Sequence, residues 1–450
     1  MIMLHSTNLN APQVDFKEAI LTGQAPDRGL YMLNEIPRLD DAEMFSFSDL
    51  ELTQIAYKVL SRIIGDLIPK EQLESIINSA LNFEIPIHYV SNHDYMMYID
   101  QGPTCSFKDV GARMLARLME YFLEVENKNV IIITATSGDT GGAVAQAFYE
   151  MNRIQVVVLY PKNEVSNLQR KQMTTLGKNV TAIGINGKFD DCQKFAKNAF
   201  ADKDLDLNLT SANSINFGRL LPQTLYYFLA YSRVAEDLGE KVIFSVPSGN
   251  FGNLLGGLIA FRMGLPVKKF IAAVNENDEF PRYVNSGTYQ KVEPSKNCLS
   301  SAMNVGHPSN LARLIEMYGG QIDEIGIVHK DPDLEKIRDD IYTISITDEL
   351  TKQTIKGFYE SYSKIIEPHG AVGWAGLQAY RTDTPKDKNV KSISIETADP
   401  AKFPEAIVSL INITPKLPQC LEIINQKEEF PNPVEINTYE DFKKYLQSNY

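Results

Sequence analysis

The stretch VIIITATSGDTGGAVAQAF, Val130 to Phe148, divides into three parts. Val130 to Thr134 is a β-branched run of the kind that fills a strand buried on both faces. Thr136 to Gly142, TSGDTGG, is a polar glycine turn, after which Ala143, Val144, Ala147 and Phe148 recur at helical spacing. The pattern then repeats downstream. Ile154 to Tyr160 is an apolar run closed by Pro161, a helical segment spans about Glu164 to Leu176, and Val180 to Ile185 offers a further strand. Strands alternating with helices across short connections predict a parallel sheet covered on both faces, so the chain reads as α/β.

A second strand, turn and helix follows. Lys241 to Val246 runs into PSGNFGN, Pro247 to Asn253, and a Gly- and Leu-rich helix continues to Met263. A glycine turn entering a helix exposes backbone N–H groups at the positive end of the helix dipole, a ready seat for a phosphate. The turn matches neither the dinucleotide fingerprint nor the P-loop, which disfavours both dinucleotide binding and nucleoside triphosphate hydrolysis. TSGDTGG gathers hydroxyls, a carboxylate and free amides at another helix start. SANSINFGRL, Ser211 to Leu220, sets serines, asparagines and Arg219 before a helix expected from Leu220 to Leu238. Taken singly, each turn fits a plain capped helix as well as an anion site, and Arg219 fits a surface ion pair as well as an anion anchor.

Upstream, GPTCSFKDVG, Gly102 to Gly111, sets Lys108 between a turn and an amphipathic helix marked by Met114, Leu115, Leu118, Phe122 and Leu123. A lysine at a helix N-terminus feels the positive end of the dipole, and with burial this favours the neutral, nucleophilic amine. Before it, residues 1 to 95 read as a mainly helical preface. Ser48 and Glu51 suggest a capping box ahead of the stripe Leu52, Ile55, Ala56, Val59, Leu60, Ile63 and Ile64, and a second stripe follows Pro69. Toward the other end come Phe270 to Val274 as a strand, SAMNVGHPSN, EPHGAVGWAG, a strand over Ser392 to Glu396, and TADPAKF; the last stretch of the chain carries no chemical motif. His307 and His369 read as hydrogen-bonded loop histidines.

With 44 basic and 57 acidic residues among 450, the net charge of −13 argues against nucleic acid or an anionic membrane as a partner. Four scattered cysteines, Cys105, Cys192, Cys298 and Cys420, suit a reducing compartment, with neither disulfide nor zinc expected. No apolar run of membrane-spanning length and no leader pattern occurs, so the expected location is cytoplasmic.

GPTCSFKD, TATSGDTGGAVA, SANSINFGRLLPQ, VPSGNFGN and TADPAKF together carry a resemblance over nearly the whole length. The chain resembles the threonine synthase family, pyridoxal-phosphate enzymes of the tryptophan-synthase β-like group (fold type II). The resemblance implies two open parallel-sheet α/β domains with a helical N-terminal domain over 1–95. Residues 96–128 and 215–450 would form a large cofactor-binding domain and 129–214 a small one. It implies that Lys108 holds pyridoxal 5'-phosphate, that Gly249, Asn250, Phe251, Gly252 and Asn253 cup its phosphate, and that Thr397 meets the pyridine nitrogen.

Asp139 would lie beside the ring's phenolic oxygen, either protonated or turned aside. Thr136, Ser137 and Thr140 would surround the substrate carboxylate, with Asn213, Ser214 and Arg219 around its phosphate and no metal involved. The implied reaction turns O-phospho-L-homoserine and water into L-threonine and phosphate by γ-elimination and β-hydration. An alternative is a phospho-lyase or a threonine/serine dehydratase on the same scaffold, ending at 2-oxobutanoate. A catalytically idle binding protein is opposed by the intact Lys108. Gln101, Cys105, Ser106 and Asp399 depart from the residues common in the family.

Overall fold

In the computed structural model, which describes residues 2–430 and 434–450, turns from the two large sheets meet, as Lys402 with Asp139 and Gln172 with Thr104 show. The smaller has five strands in the order Val434–Ile436, Val180–Ile185, Ile154–Pro161, Val130–Ala135, Leu209–Thr210, all parallel. The β-branched run at 130–135 is buried along its whole length, as a strand covered on both faces requires. The larger sheet has six strands in the order Ile341–Ser345, Val267–Val274, Val242–Pro247, Ser392–Glu396, Asp94–Tyr98, Ile87–Ser91. It is parallel except at its edge, where Ile87–Ser91 pairs antiparallel with Asp94–Tyr98 through a tight turn.

The N-terminal helices bury the expected stripes: Leu52–Ile64 hides all seven of its apolar positions, and Lys70–Ala80 packs against the long helix Lys108–Glu126. Its C-terminal end is tied down by Arg113, which donates to the carbonyls of Ser79 and Ala80 at 2.8 and 2.7 Å. The capping box sits one turn later than Ser48 and Glu51 suggest. A 3-10 turn takes up Ser46–Asp49, so Glu51 becomes the N-cap and exchanges bonds with Gln54. The helix expected over Leu220–Leu238 is broken into Phe217–Leu220, a 3-10 turn and Leu225–Val234, with Pro222 in the turn between.

The C-terminal segment does not stay with the large sheet, where the domain reading over 215–450 put it. Val434–Ile436 hydrogen-bonds to Val180–Ile185, and Ile436, Phe442 and Leu446 fill one core with Ile183, Ile185 and Phe195. An edge strand of three residues leaves too weak an alternation to read from sequence.

Candidate active site

In open α/β sheets, ligands gather at the carboxyl ends of strands. Here five turns leave such ends, the fifth carrying Thr397 and Lys402. The first follows Asp94–Tyr98 and leads to Lys108. It is stitched to the turn after Ser392–Glu396: the N–H groups of Ile99, Phe107 and Asp399 donate to the carbonyls of Glu396, Thr397 and Cys105 at 3.1, 2.8 and 3.2 Å. Asp109 braces the loop from within, accepting from the N–H and hydroxyl of Thr104, both at 2.8 Å. Gly102 is required at this spot, since a Cβ there would lie 2.4 Å from Asp109 Oδ2.

Lys108 stands half-buried as the first residue of its helix. Burial lowers its amine pKa; Asp139 opposes this, while Lys402 and Arg219 add to it. A neutral amine here is suited to condensation with a carbonyl.

The second turn, TSGDTGG, is organised by Thr136, whose Oγ1 accepts from the N–H groups of Gly138 and Gly141 at 2.9 and 2.8 Å. Ser137 is exposed and Thr140 half-buried beside it. Asp139 opens the helix Asp139–Phe148 and is buried. Its Oδ1 lies 2.6 Å from Lys402 Nζ and 3.0 Å from Gln169 Nε2. Burial alone would raise its pKa, but the ion pair with Lys402 and the proximity of Lys108 outweigh it and hold the carboxyl well below the usual range. Asp139 is thus turned toward Lys402 and Gln169. Lys402 escaped attention in the sequence, although it stands inside the quoted motif TADPAKF.

The third turn holds Asn213, Ser214 and Arg219. Arg219 is 4% exposed, and its Nη1 donates to the Ala212 carbonyl at 2.6 Å. Its Nε has no partner, and among the described residues no carboxylate comes within ion-pair distance. Burial brings its pKa down to about 10. The surface ion pair is excluded: this is an unpaired cation within the protein. Nearby, Asn213 Oδ1 is buried without a partner, and Ser214 Oγ sits 3.2 Å from Ser309 Oγ. Ser309 in turn donates to Asn250 Oδ1 from its N–H and its hydroxyl, both at 3.1 Å, so SAMNVGHPSN links the third turn to the fourth.

That fourth turn, PSGNFGN, brings the chain into the helix Gly252–Arg262 through Phe251 in the left-handed region (φ 59°), with no side chain capping the helix start. Gly249 and Gly252 flank it, and a Cβ at Gly249 would press within 2.9 Å of Met303 Cα. Asn253 Oδ1 is pinned by the hydroxyls of Tyr226 and Tyr227, both at 2.7 Å, which leaves its Nδ2 buried and unsatisfied. An uncapped helix start with an orphaned amide donor fits a phosphate.

At the far wall Thr397 donates to Glu367 Oε1 at 3.0 Å. Glu367 also accepts from the N–H groups of His369 and Gly370 and from His369 Nδ1, so it caps the helix Pro368–Asp383. His369 accepts from the Ala302 N–H through Nε2, which fixes its proton on Nδ1. It thus opens a helix instead of lying in a loop. Burial and neighbouring Glu367 push the pKa of the Glu396 carboxyl up. Gln101 bonds to Asp100, and Asp399 caps the 3-10 turn Pro400–Lys402 that carries Lys402.

A half-buried lysine at a helix start, an uncapped turn shaped for phosphate and two largely parallel sheets whose strand ends meet define the class: a pyridoxal-phosphate-dependent enzyme of fold type II. Residues 95–394 match the family pattern described as pyridoxal-phosphate dependent enzyme. More narrowly, the chain belongs to the threonine synthase family. Residues 4–81 and 370–446 match the patterns described as threonine synthase N terminus and threonine synthase, C-terminal. The chain is 37% identical to threonine synthase of Escherichia coli, covering 91% of each chain, and 36% identical to that of Haemophilus influenzae, covering 96% of this chain and 97% of the other. The crystal structure of PLP-bound threonine synthase from Brucella melitensis superposes with a TM-score of 0.92 at 30% identity, over 100% of this chain and 99% of that one. The protein is accordingly a pyridoxal-phosphate-dependent lyase. Among the described residues no helix is long and apolar enough to cross a membrane.

Proposed function

We propose that the protein converts O-phospho-L-homoserine and water to L-threonine and inorganic phosphate. The observation that carries this reading is Arg219. A guanidinium buried without a counter-anion costs free energy that a bound dianion recovers, and a phosphorylated substrate supplies one where serine or threonine does not.

Lys108 holds the cofactor, and Gly249, Asn250, Phe251, Gly252 and Asn253 hold its phosphate through backbone N–H groups and the free Asn253 amide. Pyridoxal phosphate, once bound, supplies the electron sink for charge developing at Cα and Cβ. Thr397 would offer the ring nitrogen a neutral hydroxyl, and Asp139, held by Lys402 and Gln169, would stand turned aside near the ring. Arg219, Asn213 and Ser214 grip the substrate phosphate at Cγ. Thr136, Ser137 and Thr140 receive the amino-acid carboxylate at the start of the helix Asp139–Phe148, with the Thr136 oxygen already committed to ordering that turn. The Lys108 amine would move protons at Cα and Cβ. Arg219 keeps the departed phosphate in place while water adds at Cβ.

The test is turnover of O-phosphohomoserine in oxygen-18 water, with both products analysed by mass. The label is expected in the threonine hydroxyl and absent from phosphate, with 2-oxobutanoate a minor product. Predominant 2-oxobutanoate would assign the protein to the lyase alternative, and labelled phosphate with free homoserine would make it a phosphatase.

A further inference from the structure

We infer that Lys402 is a positioning residue for Lys108: by occupying Asp139, it keeps that carboxylate from converting the Lys108 amine into an ammonium. This rests on the assignment of Lys108 as the cofactor lysine.

The geometry is closed on every side. Lys402 and Asp139 are 2.6 Å apart, with side chains 1% and 5% exposed, so the pair is shielded from water and from salt. Lys402 also donates to the Thr104 carbonyl at 3.1 Å, in the loop that ends at Lys108. It is presented by a 3-10 turn whose N-cap is Asp399, and that turn follows the Phe107–Thr397 stitch directly. Gln169 holds the same Asp139 oxygen from the far side. The carboxylate is thus fixed and already matched to a cation.

The chemistry gives this arrangement its use. Burial lowers a lysine's pKa by penalising its charge, and a bare carboxylate in the same pocket would oppose that by pairing with it. Asp139 is the strongest such influence on Lys108. The other charged groups facing Lys108 are Arg219, from the helix Phe217–Leu220, and Glu367, at the start of the helix Pro368–Asp383; Asp109 follows it on its own helix, and Asp399 stands beside Lys402. These four are the same in every variant below, so differences among variants report on the pair alone.

The apoenzyme is mixed with pyridoxal phosphate across a pH series, and the rate of cofactor capture on Lys108 is followed by the visible absorption band, which needs no substrate and no turnover. Its pH midpoint reports the protonation of Lys108. Lys402→Gln is expected to raise the midpoint by about 1 to 3 pH units and Asp139→Asn to lower it, as neighbouring charges of opposite sign require. Lys402→Arg and the double variant Lys402→Gln/Asp139→Asn should lie near the wild type. A merely structural tie between the two sheets would move both single variants the same way or neither, and either result overturns the inference while leaving the functional reading standing. Should Lys402→Gln fail to fold, Asp139→Asn decides: a midpoint that does not fall overturns it. A wild-type protein that captures no cofactor on Lys108 overturns both.

Discussion

Arg219 sits where no sequence rule would place an arginine without a partner, within the protein and with Nε unsatisfied. Losing one charge-assisted, desolvated contact of this kind typically costs about 2 to 5 kcal/mol. For Arg219→Ala that corresponds to a drop of roughly 1.5 to 3.5 powers of ten in kcat/KM. The yellow colour of the bound cofactor should persist. An Arg219→Ala variant that loses most of its colour yet turns over substrate normally per cofactor still bound would mean that Arg219 serves the cofactor phosphate instead. A second buried ionisable group opens the helix Glu279–Ser286, whose Phe280 packs on Phe251 of the phosphate turn. Glu279 is 2% exposed with Oε2 unpartnered, and burial pushes its pKa from 4.5 up to about 8. A carboxyl whose folded pKa is raised contributes its full stability below the unfolded value and loses it as pH rises through the folded one. Between pH 4.5 and about 8 the native state therefore weakens, by on the order of a few kcal/mol from this group. Glu279→Gln should flatten that part of the stability profile in urea titrations run across the window. A slope identical to that of the wild type would show that Glu279 ionises freely.

Among the elements, the loop 102–107 depends on a single missing methyl. Gly102→Ala places a Cβ 2.4 Å from Asp109 Oδ2 and 2.5 Å from Asp109 Cβ, so either the loop or the carboxylate must move. The displaced carboxylate gives up its two bonds from Thr104, and the chain leading to Lys108 loosens. Overpacking of this sort costs about 1 to 3 kcal/mol of stability. Cofactor affinity, measured by titrating the apoenzyme, should fall while the fold survives; unchanged affinity would show that the loop tolerates the methyl. These elements also mark what was legible beforehand. The strands, the glycine turns and Lys108 follow from local patterns, because a β-branched run and a glycine–helix junction each carry their physics within ten residues. What stayed hidden depends on residues far apart in the chain. Lys402 meets Asp139 across more than half the sequence, Ser309 meets Asn250 and Ser214, and Asn253 owes its free amide to two tyrosines of another helix. Periodicity carries no information about such pairs. Pro222 was visible, yet the apolar residues around it masked the break it makes.

For the whole molecule, the cleft is formed by two bodies that the chain crosses several times, and its last crossing is the one that sequence patterning least suggested. After the helix Gln419–Gln426, Val434–Ile436 joins the edge of the small sheet and the helix Tyr439–Asn449 packs on Phe189–Ala201, with Phe442 stacked on Phe195 at 6.3 Å between centroids. Ile436, Phe442 and Leu446 are buried there. At about 1.5 to 3 kcal/mol for each fully buried side chain, removing the three withdraws roughly 5 to 9 kcal/mol as an upper bound. That rivals the whole stability of an ordinary domain, about 5 to 15 kcal/mol. The small sheet also carries Thr136, Asp139 and Thr140, so its integrity reaches the cleft. Deleting residues 434–450 should lower the thermal midpoint, expose apolar surface to a dye such as ANS, and abolish turnover of O-phosphohomoserine. Lys108 and the PSGNFGN turn belong to the larger sheet, whose strands lose no hydrogen bond in the deletion. Cofactor capture should therefore outlast turnover, and a truncated protein that keeps full activity would show that the fifth strand does not support the small sheet.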